Sequence, residues 1–590
     1  MQDFEDVGYQ HTFRHTSAHI LAHAVKRLFP ETKLAIGPAI ENGFYYDFDR
    51  EEPFSNEDLA KIETEMRKIV KEKLDIERFE LSRPDAIKLM TELDEPYKVE
   101  LINDLPEAEV ISFYRQGDFV DLCAGPHLDN TREVKAFKLT QTAGAYWRGS
   151  EKNRMLHRIY GTSFPDKEML RDYLAMLEEA RKRDHNKLGR ELGYFTTVDY
   201  IGQGLPIMLP KGARVLQILS RFVEDEEQRR GYQLTKTPLM AKSDLYKISG
   251  HWDHYRDGMF IIGDPDKAEE TEVLALRPMT CPFQFQAYLT KTRSYRDLPI
   301  RYNETSTLFR NESSGEMHGL IRLRQFTISE AHLLVTPEQV EAEFRGCVDL
   351  ARYMLDTLGF SEDVSYRFSK WDPNDKEKYI GEPAAWDAAQ DTMKNILDKM
   401  DIEYVTADGE AAFYGPKLDI QIRNVFGKED TLITIQIDFQ LAERFGLEYT
   451  DRDGEKKRPT IIHRTSIGCY ERTLALLIEK YAGALPMWMM PEQVRILPIS
   501  ERHLDAAANL RAQLTAEGFR VEADTRDEKI GKKIREAQLE KIPYMLVIGD
   551  QEIADGTVSV RTRKDGDIGV QPIAQIIQRM QEEVASRKHD

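Results

Sequence analysis

Cysteine is scarce: the chain has four in 590 residues, at Cys123, Cys281, Cys347 and Cys469. Four thiols cannot make the disulfide framework of a secreted scaffold, so a reducing, cytoplasmic setting is expected. No apolar run is long and charge-free enough to cross a bilayer, which predicts no membrane span. The opening residues, MQDFEDVGYQHTFRHTS, lack a basic stretch followed by an apolar one, so no secretory signal is read there. Basic residues are in deficit: 82 Lys and Arg against 102 Asp and Glu leave a net charge of −20. That balance argues against a protein that coats DNA, yet it permits a locally basic surface fitted to one structured RNA. Internal repeats and low-complexity tracts do not stand out.

What is present points to several domains, because 590 residues exceed a single core. Residues 1–165 open on a helical stretch, HTSAHILAHAVKRLF, and continue with short strands and turns. A charged helix over 166–190 reads as a connector with a solvated face. Strands and helices then alternate over 185–486, with Pro and Gly at the joints. Residues 490–590 read as four strands, QVRILPIS, RVEADT, YMLVIG and TVSVRTR, alternating with helices, the pattern of a small sheet with crossover helices. The expected class is α+β and multidomain.

Three residues with metal-ligand chemistry each sit in a dense motif: Cys281 in RPMTCP, His332 in FTISEAHL and His463 in IIHRTS. Three protein ligands leave a tetrahedral zinc with one open position, as in a site that handles substrate. LPIRYNETSTLFRNESSGEMHGLIRLRQFTISEAHLL reads as two strands joined by a loop. Arg310 and Glu312 share parity on the first; Arg322, Arg324, Ile328, Glu330 and His332 share parity on the second. One sheet face would then gather guanidinium groups, carboxylates and a metal ligand, and Arg forks suit a polyphosphate. Alone, an R-x-E pair is more often a surface ion pair, and a single Cys or His a satisfied core residue. Near the start, His15 and His19 lie one turn apart on a helix face, and Cys123 and His127 flank the turn in CAGPH. HxxxH with CxxxH has the spacing of a four-ligand zinc site. His23 continues the helix face and reads as a core or polar-face histidine.

These motifs, in this order over nearly the whole chain, resemble the class II aminoacyl-tRNA synthetases, and within them the threonyl-tRNA synthetases. LPKGARVLQILSRFVEDEEQRRGYQLTKTPLM is similar to the first class motif, a long helix ending at Pro238 that builds a dimer interface. The FRNE strand pair is similar to the second, and IGCYERTLALLIE to the third. The resemblance implies an antiparallel-sheet catalytic core, an N-terminal α/β editing domain and a C-terminal α/β anticodon-binding domain. It implies that Arg310 holds the ATP α-phosphate, Arg472 the γ-phosphate, and Glu312 the adenine. It places Met279, Arg322, Arg324, Glu330, Tyr414, Gln436 and Cys469 around the substrates, with Lys417 and His251 beside the chemistry. His251 would assist transfer to tRNA.

The resemblance also gives the zinc on Cys281, His332 and His463 a task, since it would bind the amine and hydroxyl of threonine and refuse valine. Serine keeps both groups and lacks only a methyl, worth about 10–200-fold discrimination. A second site must therefore hydrolyse mischarged Ser-tRNA. His15, His19, Lys98, Cys123 and His127 match that pocket, which in the family works without obligatory metal. A Cys123 thiol lowered in pKa by neighbouring histidines, and prone to oxidation, is a further expectation. Asp527, Glu552 and Arg561 match anticodon contacts, with Asp527 standing where the bacterial pattern has Asn. The partners implied are tRNA(Thr), ATP with Mg²⁺, L-threonine and a second copy of the chain, with no DNA and no membrane. The small ubiquitin-like N-terminal domain of many relatives is expected to be absent.

The chain departs from the family pattern at the pockets. FTISEAH replaces FTQDDAH, so Ile328 stands for Gln and Glu330 for a shorter Asp. RPMTCPFQF, Cys469 and DTLITIQIDF are further changes. Two other readings follow from these, a ligase with altered amino-acid selectivity and a non-catalytic RNA-binding paralogue.

Overall fold

The computed structural model describes residues 4, 6–150, 152–267, 271–375 and 378–589. The chain divides into two compact units, Met1–Glu178 and Glu179–Asp590.

In the first unit, helix Val7–Leu28 starts where Asp6 accepts a hydrogen bond from the Tyr9 N–H at 2.7 Å. It ends with Lys26 and Arg27 in its last turn, favourable to the helix dipole. Phe13, Ile20, Leu21 and Val25 are fully buried and share one core with Phe44, Tyr46 and Phe48 of strand Gly43–Asp49. That strand pairs antiparallel with Met155–Phe164, which pairs antiparallel with Ala136–Tyr146. A separate three-stranded antiparallel sheet, Ile76–Leu81, Ile111–Gln116 and Phe119–Leu122, ends one residue before Cys123.

The second unit is built on an eight-stranded sheet. Across it run Gln233–Leu234, Ile300–Phe309, Gln325–Val335, Thr460–Cys469, Glu429–Asp438, Lys417–Arg423, Val364–Ser369 and Val405–Ala407. Pairing is antiparallel throughout except at the two edges. Helices Pro210–Arg229, Val340–Leu358 and Tyr470–Lys480 bury Leu219, Val348, Leu355, Leu474 and Leu477 in one core with Ala331, Leu333, Ile435 and Ile462 of the sheet. Because side chains alternate along a strand, His332, Gln436 and His463 lie on the opposite face.

The C-terminal residues form a five-stranded sheet. Val521–Ala523, Val494–Pro498 and Tyr544–Ile548 are parallel; Thr557–Thr562 and Gly566–Pro572 complete it antiparallel. The α+β class and the antiparallel core agree with expectation.

Four local expectations change. The connector is two helices, Lys167–Arg183 and His185–Glu191, because Asp184 caps the second by accepting from the Asn186 N–H at 2.6 Å. The long helix of the first motif stops at Arg229, after which Gln233–Leu234 joins the sheet edge. Strand Ile300–Phe309 ends before Arg310 and Glu312, so these two lie in the loop and do not share a strand face. Arg322 and Arg324 likewise precede strand Gln325–Val335. The fifth C-terminal strand, Gly566–Pro572, has Gly566 and Gly569 at positive φ and an irregular register, which blurs its alternation in the sequence.

Candidate functional site

Register alone builds the first site. Tyr302 pairs with His332, His332 with His463, His463 with Gln436, and Gln436 with Lys417. These five residues form one transverse row across the open face of the sheet. Helix Cys281–Leu289 lies over that face, through contacts of Phe285 with both His332 and His463 rings. Cys281, at the helix start, completes a buried cluster in which one donor atom each from Cys281, His332 and His463 lies within 4.8 Å of the others.

The residues behind the histidines fit a metal. His463 Nε2 donates to the Asp438 carboxylate at 2.8 Å, and His332 Nδ1 donates to Gln284 Oε1 at 2.6 Å. Each ring thus has one nitrogen fixed as a donor and the other left bare, the arrangement found behind metal-bound histidines. Burial, then the Glu330 and Asp438 carboxylates, pushes the Cys281 thiol pKa well up. A metal cation bound at this point would reverse that electrostatic setting.

Other expected residues gather around this cluster. The Tyr414 ring lies 5.0 Å from that of His463, and its hydroxyl donates to Gln436 Oε1 at 2.6 Å. Glu330 is buried; Oε1 accepts from the Thr280 N–H at 3.2 Å, while Oε2 has no hydrogen-bond partner among the described residues. Burial raises its pKa. Lys417 Nζ is 2.9 Å from Asp419. Met279 packs against the Cys281 side of the site. His251 accepts or donates at Nδ1 to Ser249 Oγ, 2.8 Å away, and its ring lies 5.0 Å from Phe413. Burial, with the nearby His463 and Arg310, lowers its pKa to about 3, so it is neutral.

The guanidinium groups enter from loops. Arg310 lies over the Phe326 ring at 5.2 Å, and its buried Nε has no partner among the described residues. Its charge is felt by His251, Glu330 and Tyr414. Arg472 donates to the carbonyls of Ile321 (2.9 Å) and Thr431. Arg324 donates to the Glu312 carbonyl, and Arg322 pairs with the Glu312 carboxylate at 2.9 Å. Cys469 is apart from the metal cluster: it faces Ile328 across the strands and donates to Glu471 Oε2 at 3.2 Å.

The second site lies wholly in the first unit. His15 and His19 project from helix Val7–Leu28 toward Cys123 and His127, and the four donor atoms lie within 4.8 Å of one another. Cys123 Sγ is 3.3 Å from both His15 Nε2 and His127 Nε2. Behind them is a buried polar group. Asp121 receives the Lys98 ammonium at 2.7 Å and the Tyr46 hydroxyl at 2.6 Å, with His19 Nε2 at 3.6 Å. Burial and mutual repulsion hold His15 (about 4), His19 and His127 neutral.

The expected low-pKa thiol is overturned. Burial, and then the Asp121 charge, raises Cys123 to about 12. Neutral imidazoles cannot stabilise a thiolate as imidazolium would. His23 is a satisfied core residue as expected, bonded to Asp118 (3.0 Å) and Gln116 (2.9 Å) and stacked on Phe119.

The remaining expected residues lie on the C-terminal sheet and its loops. Arg561 pairs with Asp567 at 2.8 Å, and its buried Nε is without a partner among the described residues. Glu552 accepts from the Gly549 N–H at 2.9 Å, and Asp527 is exposed.

Three family models match the chain. Residues 264–481 match the tRNA synthetase class II core domain (G, H, P, S and T). Residues 493–583 match an anticodon binding domain, and 111–160 the threonyl and alanyl tRNA synthetase second additional domain. The threonine–tRNA ligase of Clostridium perfringens is 64% identical over 99% of this chain and 90% of its own length.

The chain belongs to the threonyl-tRNA synthetase family.

The Acetivibrio thermocellus threonine–tRNA ligase is 51% identical over the same shares of both chains. Among solved structures, the RNA binding domain of threonyl-tRNA synthetase from Cryptosporidium parvum Iowa II matches with a TM-score of 0.63 and 35% identity. It covers 68% of this chain and 98% of that one. A putative threonyl-tRNA synthetase from Aeropyrum pernix gives 0.58 and 26%, covering 68% and 97%. Within this family frame, sequence reasoning missed Gln284 and Asp438 at the first site, and Tyr46 and Asp121 at the second. A signal existed for two. Asp121 stands two residues before Cys123, at the end of one strand, and Asp438 two after Gln436 in another, where alternation puts the two on one face. Tyr46 and Gln284 come from separate elements and carry no such mark.

Proposed function

We propose that this protein is a threonine–tRNA ligase with two sites. One activates threonine with ATP and Mg²⁺ and transfers it to tRNA(Thr). The other, in the N-terminal unit, hydrolyses Ser-tRNA(Thr). The observation that carries this reading is the row Tyr302–His332–His463–Gln436–Lys417 beneath Cys281, with Arg310 entering beside it.

Cys281, His332 and His463 would hold zinc, which when bound supplies an open coordination position for an amine and a hydroxyl. Glu330, anchored through Oε1, presents Oε2 to accept from the substrate. Valine lacks the hydroxyl and would leave that oxygen unpaired in a buried site. Arg310, with its free Nε, contacts the α-phosphate as charge develops in the displacement, and Arg472 contacts the γ-phosphate. Glu312, oriented by Arg322, places the adenine, with Arg324 beside it. Met279, Tyr414, Gln436 and Cys469 line the pocket. His251, held neutral, can accept the proton of the tRNA hydroxyl during transfer, and Lys417, paired with Asp419, supplies positive charge next to Gln436.

At the second site the neutral His15, His19 and His127 can accept a proton from an attacking water, and Lys98 stabilises charge on the ester oxygen. Asp121 and Tyr46 orient Lys98. Four donors here have metal-compatible spacing, but Asp121–Lys98–Tyr46 already supplies the polar chemistry, which favours work without a metal.

Arg561, Glu552 and Asp527 read anticodon bases at their edges. A homodimer through the first motif is supported by exposed apolar side chains on the segments that flank helix Pro210–Arg229 in the chain: Tyr200, Leu234, Leu239 and Met240.

Amino-acid-dependent ATP–pyrophosphate exchange with threonine, serine and valine side by side tests the reading. Threonine is expected to lead, serine to follow and valine to be inert. No exchange with zinc saturating, despite tRNA binding, would mark a non-catalytic RNA-binding protein. Preference for another amino acid would trace to Ile328 and Glu330.

A further inference from the structure

His185 is fully buried at the start of helix His185–Glu191 and is bonded through both ring nitrogens. Nε2 accepts the Leu320 N–H at 3.1 Å, and Nδ1 lies 2.7 Å from Glu479 Oε1. A backbone amide can only donate, so Nε2 must be bare and Nδ1 must carry the proton that Glu479 accepts. Glu479 comes from the end of helix Tyr470–Lys480, the same helix that carries Arg472.

Leu320 belongs to the loop joining strands Ile300–Phe309 and Gln325–Val335. The return arm of that loop is pinned twice. His185 takes the Leu320 N–H from one side, and Arg472 donates to the next carbonyl, that of Ile321, at 2.9 Å. Leu320 is fully buried and Ile321 nearly so. Gly319, at φ +50°, permits the approach: a Cβ there would overlap His185 Nε2 and Asn186 Oδ1. Immediately downstream, Arg322 and Arg324 both hold Glu312. One imidazole therefore ties the helix that carries Arg472 to the arm that carries Arg322 and Arg324.

We infer that His185, held by Glu479, is a positioning residue for nucleotide binding: it fixes the 318–324 arm so that Arg322 and Arg324, which hold Glu312 at the adenine, and Arg472 at the γ-phosphate, converge on one nucleotide. The inference rests on the nucleotide role proposed above for those arginines. It assigns His185 no contact with substrate. It separates the acceptor on Nε2, which positions the arm, from the volume of the ring, which only fills space.

The test compares His185→Leu with His185→Gln in the full chain. Gln can place an acceptor near the Leu320 N–H; Leu fills the volume without one. ATP affinity is measured directly by equilibrium binding, so it is readable even if the wild-type protein proves to activate no amino acid. Failure of the wild type to exchange pyrophosphate would then count against the function, not against the positioning role. His185→Leu is expected to weaken ATP binding about tenfold, as loss of a buried acceptor implies. Its threonine KM and its Ser-tRNA hydrolysis should stay at wild-type values. His185→Gln should recover most of the ATP affinity, and Glu479→Gln, which keeps an acceptor for Nδ1–H, should lose little. Unchanged ATP binding in His185→Leu, or equal loss in His185→Leu and His185→Gln, would overturn the inference.

Discussion

His463 donates through Nε2 to Asp438 Oδ2 at 2.8 Å, and Asp438 is fully buried. The other Asp438 oxygen accepts the N–H groups of Gln440 and Leu441, so the carboxylate cannot turn away. The ring is thereby held with Nε2 engaged and Nδ1 left as its bare nitrogen. Asp438→Asn is expected to weaken zinc retention about 10–100-fold, the usual effect of removing the carboxylate behind a ligating histidine. Metal content after chelator competition checks this. Retention equal to wild type would separate Asp438 from the metal.

Cys281→Ser should lose zinc and, with it, threonine-dependent exchange. Hydrolysis of Ser-tRNA should persist, because its residues lie in a different compact unit of the chain. Metal analysis and the two assays on one preparation decide the matter. Retained threonine activation in a zinc-free variant would refute the open-site argument.

Asp121→Asn removes the charge facing Lys98, which is only 3% exposed. Breaking one side of a buried pair costs about 3–5 kcal/mol, because the remaining charge has no partner. Deacylation of Ser-tRNA should fall at least about 100-fold, while exchange with threonine stays unchanged. Thermal unfolding should show a destabilised N-terminal unit. A variant that unfolds normally and still deacylates would remove Asp121 from the site.

Cys123 should be slow to react. With its pKa raised to about 12, the thiolate fraction at pH 8 is on the order of 10⁻⁴. Alkylation at neutral pH should lag far behind a free thiol, and mild peroxide should leave Ser-tRNA hydrolysis intact. Rapid labelling of Cys123, read by peptide mass, would show that the histidines carry charge after all.

Glu540 bonds Arg495 through two contacts (2.9 and 3.1 Å) and Lys211 at 2.7 Å, which lower its pKa to about 2. A depressed carboxylate stabilises the fold above its unfolded value, about 4.3, and that contribution disappears as pH falls from there toward 2. The side chain is 38% exposed, so solvent screening limits the effect to about 1 kcal/mol. Glu540→Gln should therefore melt lower than wild type at pH 7, with the difference shrinking as pH falls below about 4 and closing only below about pH 2. A gap that is as large near pH 2 as at pH 7 would assign the loss to packing.

Much of this was legible before any coordinates. The Cys281, His332 and His463 positions, the His15–His19 and Cys123–His127 pairs and the strand pair sit in local motifs whose parity or helical spacing is carried by a few adjacent residues. Helix Val7–Leu28 and strand Gln325–Val335 read directly from such spacing. The C-terminal strand Gly566–Pro572 did not, since two positive-φ glycines and a bulge break the alternation.

The sequence by itself determined which residue types were available: a thiol and two imidazoles in one segment, two more imidazoles and a thiol–imidazole turn in another, and arginines in loop motifs. Only the tertiary structure decided how they act. Pairing register put His332, His463, Gln436 and Lys417 in a single row, and chain separations of 49 and 15 residues hid the Gln284–Thr235 and Asp419–Thr434 hydrogen bonds from local reading.

 

At the two sites the decisive partners are likewise remote: Asp438 lies 25 residues from His463, and Tyr46 lies 75 from Asp121. Burial then set the charge states, turning the Cys123 thiol inert and the surrounding histidines neutral. The physical reason is common to all of these. Spacing along the chain records which side chains share a face, but desolvation and hydrogen-bond partners depend on elements that meet only when the chain is folded.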